Sequence, residues 1–152
     1  MTNYNEILQT IQPLIEENIY DITILANSCA LLYEKMDKIN WVGFYLNKNK
    51  QLLLGPFQGK VACTLIPFTK GVCGACASSK ETIVVGNVHQ FKGHIACDSA
   101  SNSEICIPII VHNELYGLLD IDSPIINRFS SEDKIYLERI VNIIEKELSK
   151  IL

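Results

Sequence analysis

The sequence predicts an α+β domain. One antiparallel sheet carries helices from both ends of the chain on one face, and a long loop lies over the other end. Two observations lead there. Apolar residues recur at helical spacing near both termini, and the middle of the chain changes to short apolar runs broken by turn residues. Helices and strands are therefore partly segregated along the chain, which favours an antiparallel sheet over alternating βαβ units.

The elements follow in order. Residues 4–18 place Tyr4, Ile7, Leu8, Ile11, Leu14 and Ile15 on one helical stripe, and residues 21–37 repeat the pattern with Ile24, Leu25, Cys29, Leu32 and Met36. "INWVGFYLN" (39–47) and "KQLLLGPF" (50–57) flank a short polar turn and predict a hairpin. Short strands are expected at 63–68 and 82–85, with the small-residue segment "GVCGACASSK" (71–80) suited to a short helix between them. A second hairpin is predicted over 104–112 and 115–122, turning at "HNE". The last helix spans 131–149. Ser130 and Asp133 resemble a capping box with Asp in place of the usual Glu or Gln, and Tyr136, Leu137, Ile140, Val141, Ile144 and Leu148 form the buried stripe.

The bulk properties narrow the function. The chain has 152 residues, which points to a single domain over 1–152. A net charge of −4 disfavours nucleic acid and basic membrane-surface binding. No apolar run approaches a bilayer span, and the N-terminus lacks the pattern of a signal peptide. A cytoplasmic location is expected. In that compartment the six cysteines point to redox or metal chemistry, not to a disulfide framework.

The segment 86–103 is long for a compact domain, and loops of that length are commonly functional. It holds "GHIACDSASNSEI" (93–105), with Cys97 in polar surroundings three residues after His94. A nearby imidazole favours the thiolate, the nucleophilic form. Cys73 and Cys76 form a CxxC outside any thioredoxin-like pattern. A zinc site could draw on Cys63, Cys73, Cys76 and Cys97 with His89 or His94, although no second tight ligand pair supports it. Cys29 and Cys106 lie among apolar residues and read as small core hydrophobes.

"LLDIDS" sets Asp120 and Asp122 on one face of a strand, and Glu104 could join them. Close carboxylates cannot both ionise cheaply, so one could keep a proton and act as a general acid; the plain alternative is a solvated strand end. Trp41 and Tyr45 share a face of the first strand and read either as core or as a pocket wall.

Five segments together resemble the free methionine-(R)-sulfoxide reductases, a catalytic branch of the GAF fold: "NWVGFYL", "LGPFQGKVACTLIPFTKGVCG", "NVHQFKGHIACDSASNSEI", "IPIIVHNELYGLLDIDS" and "RFSSEDKIYLERIV". The resemblance covers about residues 4–149. It implies Cys97 as catalytic cysteine, Cys63 as resolving cysteine, and Cys73 as a further recycling thiol. Trp41, Tyr45, Glu104, Asp120 and Asp122 match residues lining the substrate pocket. It also implies reduction of free L-methionine-(R)-sulfoxide with thioredoxin as donor, and no cofactor or metal. Cys76 departs from the family's cysteine pattern and stands close enough in sequence to accept or divert the disulfide. A homodimer through the terminal helices is compatible with the sequence. The competing readings are a non-catalytic GAF sensor and a zinc-binding structural protein.

Overall fold

A computed structural model describes residues 1–93 and 99–152. Cys97 and His94 lie outside the described residues. Helix α1 (Tyr4–Ile15) and helix α2 (Asp21–Lys35) precede the hairpin β1 (Trp41–Lys48) and β2 (Gln51–Gly59). Strand β3 (Leu65–Pro67), helix α3 (Gly71–Ser79) and strand β4 (Ile83–Val85) follow. The described part of the long loop contains a 3-10 turn, Val88–Gln90. Strands β5 (Ser103–Val111) and β6 (Glu114–Ser123) form the second hairpin, and α4 (Ser131–Ser149) ends the fold. The six strands run in the order β3-β2-β1-β6-β5-β4, with every neighbouring pair antiparallel. The α+β expectation and the order of its elements hold.

The hairpins close as their turn chemistry requires. Asn49 and Lys50 both have positive φ (55° and 62°), as do His112 and Asn113 (52° and 63°). Two successive positive φ values twist the chain in the sense that matches the flanking strands. Helix α1 stops at Ile15, three residues before the end of the predicted stripe.

Strand alternation divides the sheet into two chemically different faces. Val42, Phe44 and Leu46 of β1, Ile105, Ile107 and Ile109 of β5, and Leu119 and Ile121 of β6 point to one face. There they pack with Ile7, Ile11 and Ile15 of α1, Ile24, Leu25 and Leu32 of α2, and Leu137, Ile140, Ile144 and Leu148 of α4. Alternate residues of the same strands face α3 and carry the candidate site.

A polar network ties the N-terminus to the start of α4. Ser130 and Asp133 form the capping box, with Asp133 fulfilling the role of the longer residues. Asp133 also accepts from the Tyr4 hydroxyl at 2.6 Å and pairs with Arg128 at 3.1 Å. Arg128 reaches Asp37 at 3.0 Å and donates to the Asp37 carbonyl at 3.0 Å. Replacing Ser130 with Ala removes a cap and should cost about 1 kcal/mol. Asp133→Ala also removes one of the two carboxylate partners of the mostly buried Arg128 and the acceptor of the Tyr4 hydroxyl, and should cost more, about 3 kcal/mol. Urea unfolding of the two variants checks this ranking.

Candidate functional site

The register of the sheet assembles the site. Across the α3-facing side, Trp41 of β1 pairs with Asp122 of β6, Asp122 with Glu104 of β5, and Glu104 with Val85 of β4. One rung along, Gly43 pairs with Asp120, Asp120 with Cys106, and Cys106 with Ile83. Residues opposite one another on adjacent strands lie about 5 Å apart at Cβ, so three carboxyls and a thiol become neighbours by pairing alone. Helix α3 lies over this face and brings Cys73 down onto it.

The contacts are close. The Cys106 thiol lies 3.2 Å from Oδ1 of Asp120 and 3.5 Å from Oε2 of Glu104. Cys73 Sγ is 3.5 Å from Cys106 Sγ and 3.7 Å from Glu104 Oε2. Glu104 and Asp120 are only 6% and 5% exposed. The solvated-strand-end alternative therefore fails for Asp120; Asp122 is half-buried.

Burial sets the electrostatics. It raises the Glu104 carboxyl well above the ordinary carboxylate range, with the Asp120 charge adding to the effect. It raises Asp120 in the same way, seconded by the charge of Asp122. Cys106 is pushed well up by burial and by its contact with Cys73. For Cys73 the contact with Cys106 favours the thiolate, but burial and the charges of Glu104 and Asp122 outweigh it and the thiol is raised. Burial also raises Cys76. The site thus favours the protonated form of carboxyls that would ionise readily in water.

Trp41 and Tyr45 form a wall beside this cluster. Both are 2% exposed, and their rings lie 6.0 Å apart between centroids. Phe57, which the sequence did not single out, stacks on Trp41 at 5.3 Å. The Trp41 indole N–H donates to the Lys60 carbonyl at 3.0 Å, and the Tyr45 hydroxyl donates to the Cys63 carbonyl at 2.8 Å. The wall therefore anchors the segment that carries Cys63. Gly43 makes room for it: a Cβ there would stand 2.4 Å from Phe57 Cβ and 2.6 Å from Trp41 Cη2.

Cys63 is disulfide-bonded, whereas Cys29, Cys73, Cys76 and Cys106 are free thiols. Both described flanks of the segment that holds Cys97 are fixed. Gly71 N–H, at the start of α3, donates to the Gly93 carbonyl at 3.1 Å, and Asn102 N–H donates to the Ser123 carbonyl at 2.8 Å.

The alternative zinc set is disfavoured among the described residues, with Cys97 and His94 lying outside them. Cys63 is committed to a disulfide, and His89 Nε2 donates to Asn102 Oδ1 at 2.7 Å. Cys29 is buried against the helices, as expected. Cys106 differs from expectation. It is buried, but against carboxyls and Cys73, not as a hydrophobe among hydrophobes. The signal was present, since Glu104 and Cys106 are two apart on one strand and share a face.

The GAF domain family matches residues 6–148. The free methionine-R-sulfoxide reductase of Escherichia coli K12 is 50% identical over 128 residues, which cover 84% of this chain and 78% of that one. The chain belongs to the free methionine-R-sulfoxide reductases of the GAF family. In structure, the fRMsr of Staphylococcus aureus in reduced form superposes with a TM-score of 0.95 at 53% identity, covering 97% of this chain and 96% of that chain. The same S. aureus protein in complex with substrate gives 0.93 at 53% identity, with 97% of each chain covered. Membership of this family places the chain among oxidoreductases and favours the reductase over a non-catalytic sensor.

Two measurements probe the site. Gly43→Ala should displace Trp41, the one tryptophan of the chain, and shift its emission to the red. The strain should destabilise the fold by about 1–3 kcal/mol. For Asp120 the sign follows from proton counting. The folded chain keeps the Asp120 proton above the pH, about 3.9, at which the unfolded chain releases it. Stability is therefore greatest below that value and falls as pH rises toward the raised folded pKa. Asp120→Asn removes this dependence. Urea midpoints from pH 4 to 8 should show the variant gaining on the parent as pH rises, by up to about 1.4 kcal/mol per pH unit.

Proposed function

We propose that this chain reduces free L-methionine-(R)-sulfoxide to methionine. The observation that carries the proposal is the Glu104–Asp120 pair buried beside Trp41 and Tyr45, with both carboxyls raised above their ordinary range, in a chain 53% identical to an fRMsr solved with its substrate. The sulfur and methyl group of the substrate pack against Trp41 and Tyr45. Glu104, Asp120 and Asp122 take the polar end, and the acidic pocket favours the free ammonium group over a peptide chain.

Cys97 is the nucleophile. Its thiolate attacks the sulfoxide sulfur while a buried carboxyl, Glu104 or Asp120, gives its proton to the oxygen. The oxygen ends on Cys97 as a sulfenic acid, and methionine leaves. One thiolate, one proton and one sulfoxide thus become one sulfenic acid and one thioether. Cys63 then condenses with the sulfenic acid, forming the disulfide and releasing water. The disulfide at Cys63, with four other cysteines free, supports this pairing over Cys73 as the resolving thiol. Cys73 serves recycling, and thioredoxin restores the dithiol by exchange. Cys76, raised by burial on the far side of α3 from solvent, is poorly suited to divert the disulfide.

Residues 1–152 act as one domain, and we place the enzyme in the cytoplasm, where thioredoxin keeps thiols reduced. Among the described residues, no helix is long and apolar enough to cross a membrane. A homodimer through the terminal helices remains part of this proposal.

The test couples the protein to thioredoxin, thioredoxin reductase and NADPH. Turnover is expected with the free R epimer and not with the S epimer or a peptide-bound sulfoxide. Cys97→Ser should abolish turnover. Cys63→Ser should release one methionine per chain and then stall with thioredoxin. Full cycling by either variant would overturn its assigned role.

A further inference from the structure

The thiol of Cys106 has no part in the reductase cycle, yet it sits at the centre of the buried cluster. With Cys73, Glu104 and Asp120 it offers four ligand atoms, all within 4.8 Å of one another. The four side chains come from three elements, α3, β5 and β6, and all are buried. Their spacing has a specific meaning. A tetrahedral zinc ion with bonds of about 2.3 Å to sulfur and about 2.1 Å to oxygen requires S···S separations of about 3.8 Å and S···O separations of about 3.6 Å. The observed S···S distance is 3.5 Å, and three of the four S···O distances are 3.2, 3.5 and 3.7 Å. Four of the six edges of a coordination tetrahedron thus lie close to the required lengths, and the remaining two are within 4.8 Å.

The charge also fits. Two thiolates and two carboxylates around a divalent ion leave a formal charge of −2, the same as a four-cysteine zinc site. The four groups cannot all be charged without a cation among them, since burial and mutual repulsion oppose it. A divalent ion replaces the protons that the empty site must hold. Soft sulfur ligands select zinc over magnesium or calcium.

The geometry points to a zinc-binding site formed by Cys73, Glu104, Cys106 and Asp120, at which zinc inhibits the enzyme by occupying the carboxyls that receive substrate. This is a different set from the one the sequence suggested, and it is not a cofactor site. Coordination requires each thiol to give its proton to solvent, so binding should strengthen with rising pH. Only the inhibitory consequence rests on the proposed reductase function; the binding itself does not.

The test therefore reads binding first. Reduced protein carrying Cys63→Ser and Cys97→Ser, which removes the other reactive thiols, is titrated with zinc chloride against a chromophoric chelator. One zinc per chain is expected, with proton release to a weak buffer. Adding Cys106→Ser should weaken zinc binding at least tenfold, whereas adding Cys76→Ser should leave it unchanged. Circular dichroism confirms that each variant is folded. As a measurement free of any change at Cys106, cobalt bound to the Cys63→Ser, Cys97→Ser protein should show intense tetrahedral bands and thiolate charge transfer.

Absence of stoichiometric binding, an affinity indifferent to Cys106, or a cobalt spectrum without thiolate charge transfer would each overturn the site. In the thioredoxin-coupled assay, zinc should raise the KM of the wild-type chain for free methionine-R-sulfoxide, and Cys106→Ser should require at least tenfold more zinc for the same relative effect. Zinc binding in a chain that reduces no sulfoxide would sink the functional reading and leave the site standing. Reduction unaffected by saturating zinc would sink the inhibition.

Discussion

The constraint on which this structure depends is the antiparallel register of β1, β6 and β5. Pairing sets Trp41, Asp122 and Glu104 on one rung and Gly43, Asp120 and Cys106 on the next. Because side chains alternate, the residues between them, Val42, Ile105 and Ile121, all face the helices. A slip of one residue would turn the carboxyls into the hydrocarbon core and the isoleucines into the site. The hydrophobic drive that buries one face therefore holds the chemistry of the other in place. A polar cluster that contributes little to stability is positioned by a core that contributes most of it.

The same register explains why the carboxyl pKa values are raised. Glu104 and Asp120 emerge from central strands beneath α3, where water is largely excluded. A carboxyl in that position loses more by ionising than it gains, and a second carboxyl beside it increases the loss. A carboxyl raised in this way suits the general-acid role proposed above. The thiols of Cys73 and Cys106 respond to the same environment and also keep their protons. A nucleophilic cysteine needs the opposite surroundings, which agrees with placing that role on the polar loop and not in this cluster.

Trp41 links the aromatic wall to the segment that carries Cys63. Its ring lies between Phe57 and Tyr45, over the space that Gly43 leaves open. Its indole and the Tyr45 hydroxyl hold the carbonyls of Lys60 and Cys63. Aromatic packing and two hydrogen bonds thus fix the strand-to-strand segment that carries Cys63. The bulge in the β1–β2 pairing between Gly43 and Tyr45 falls at the same place, beside Gly55 and Pro56, where the ladder has least to lose.

By itself, the sequence determined the elements and the face on which each candidate lies. Period-two spacing put Asp120 with Asp122 and Trp41 with Tyr45, and helical spacing marked α4 with its capping Ser130 and Asp133 at their observed places. These are local properties, set by side chains a few residues apart. Tertiary structure alone decided that Asp120 is buried, that Glu104 meets it across a strand, and that Cys73 descends from α3 onto Cys106. Those facts depend on which strands pair and on what covers them, and residues 73 and 104 are distant in the chain. Cys106 lay between the two cases. Its spacing from Glu104 gave its face, but only the coverage of that face turned an apparent core cysteine into the centre of a buried polar cluster.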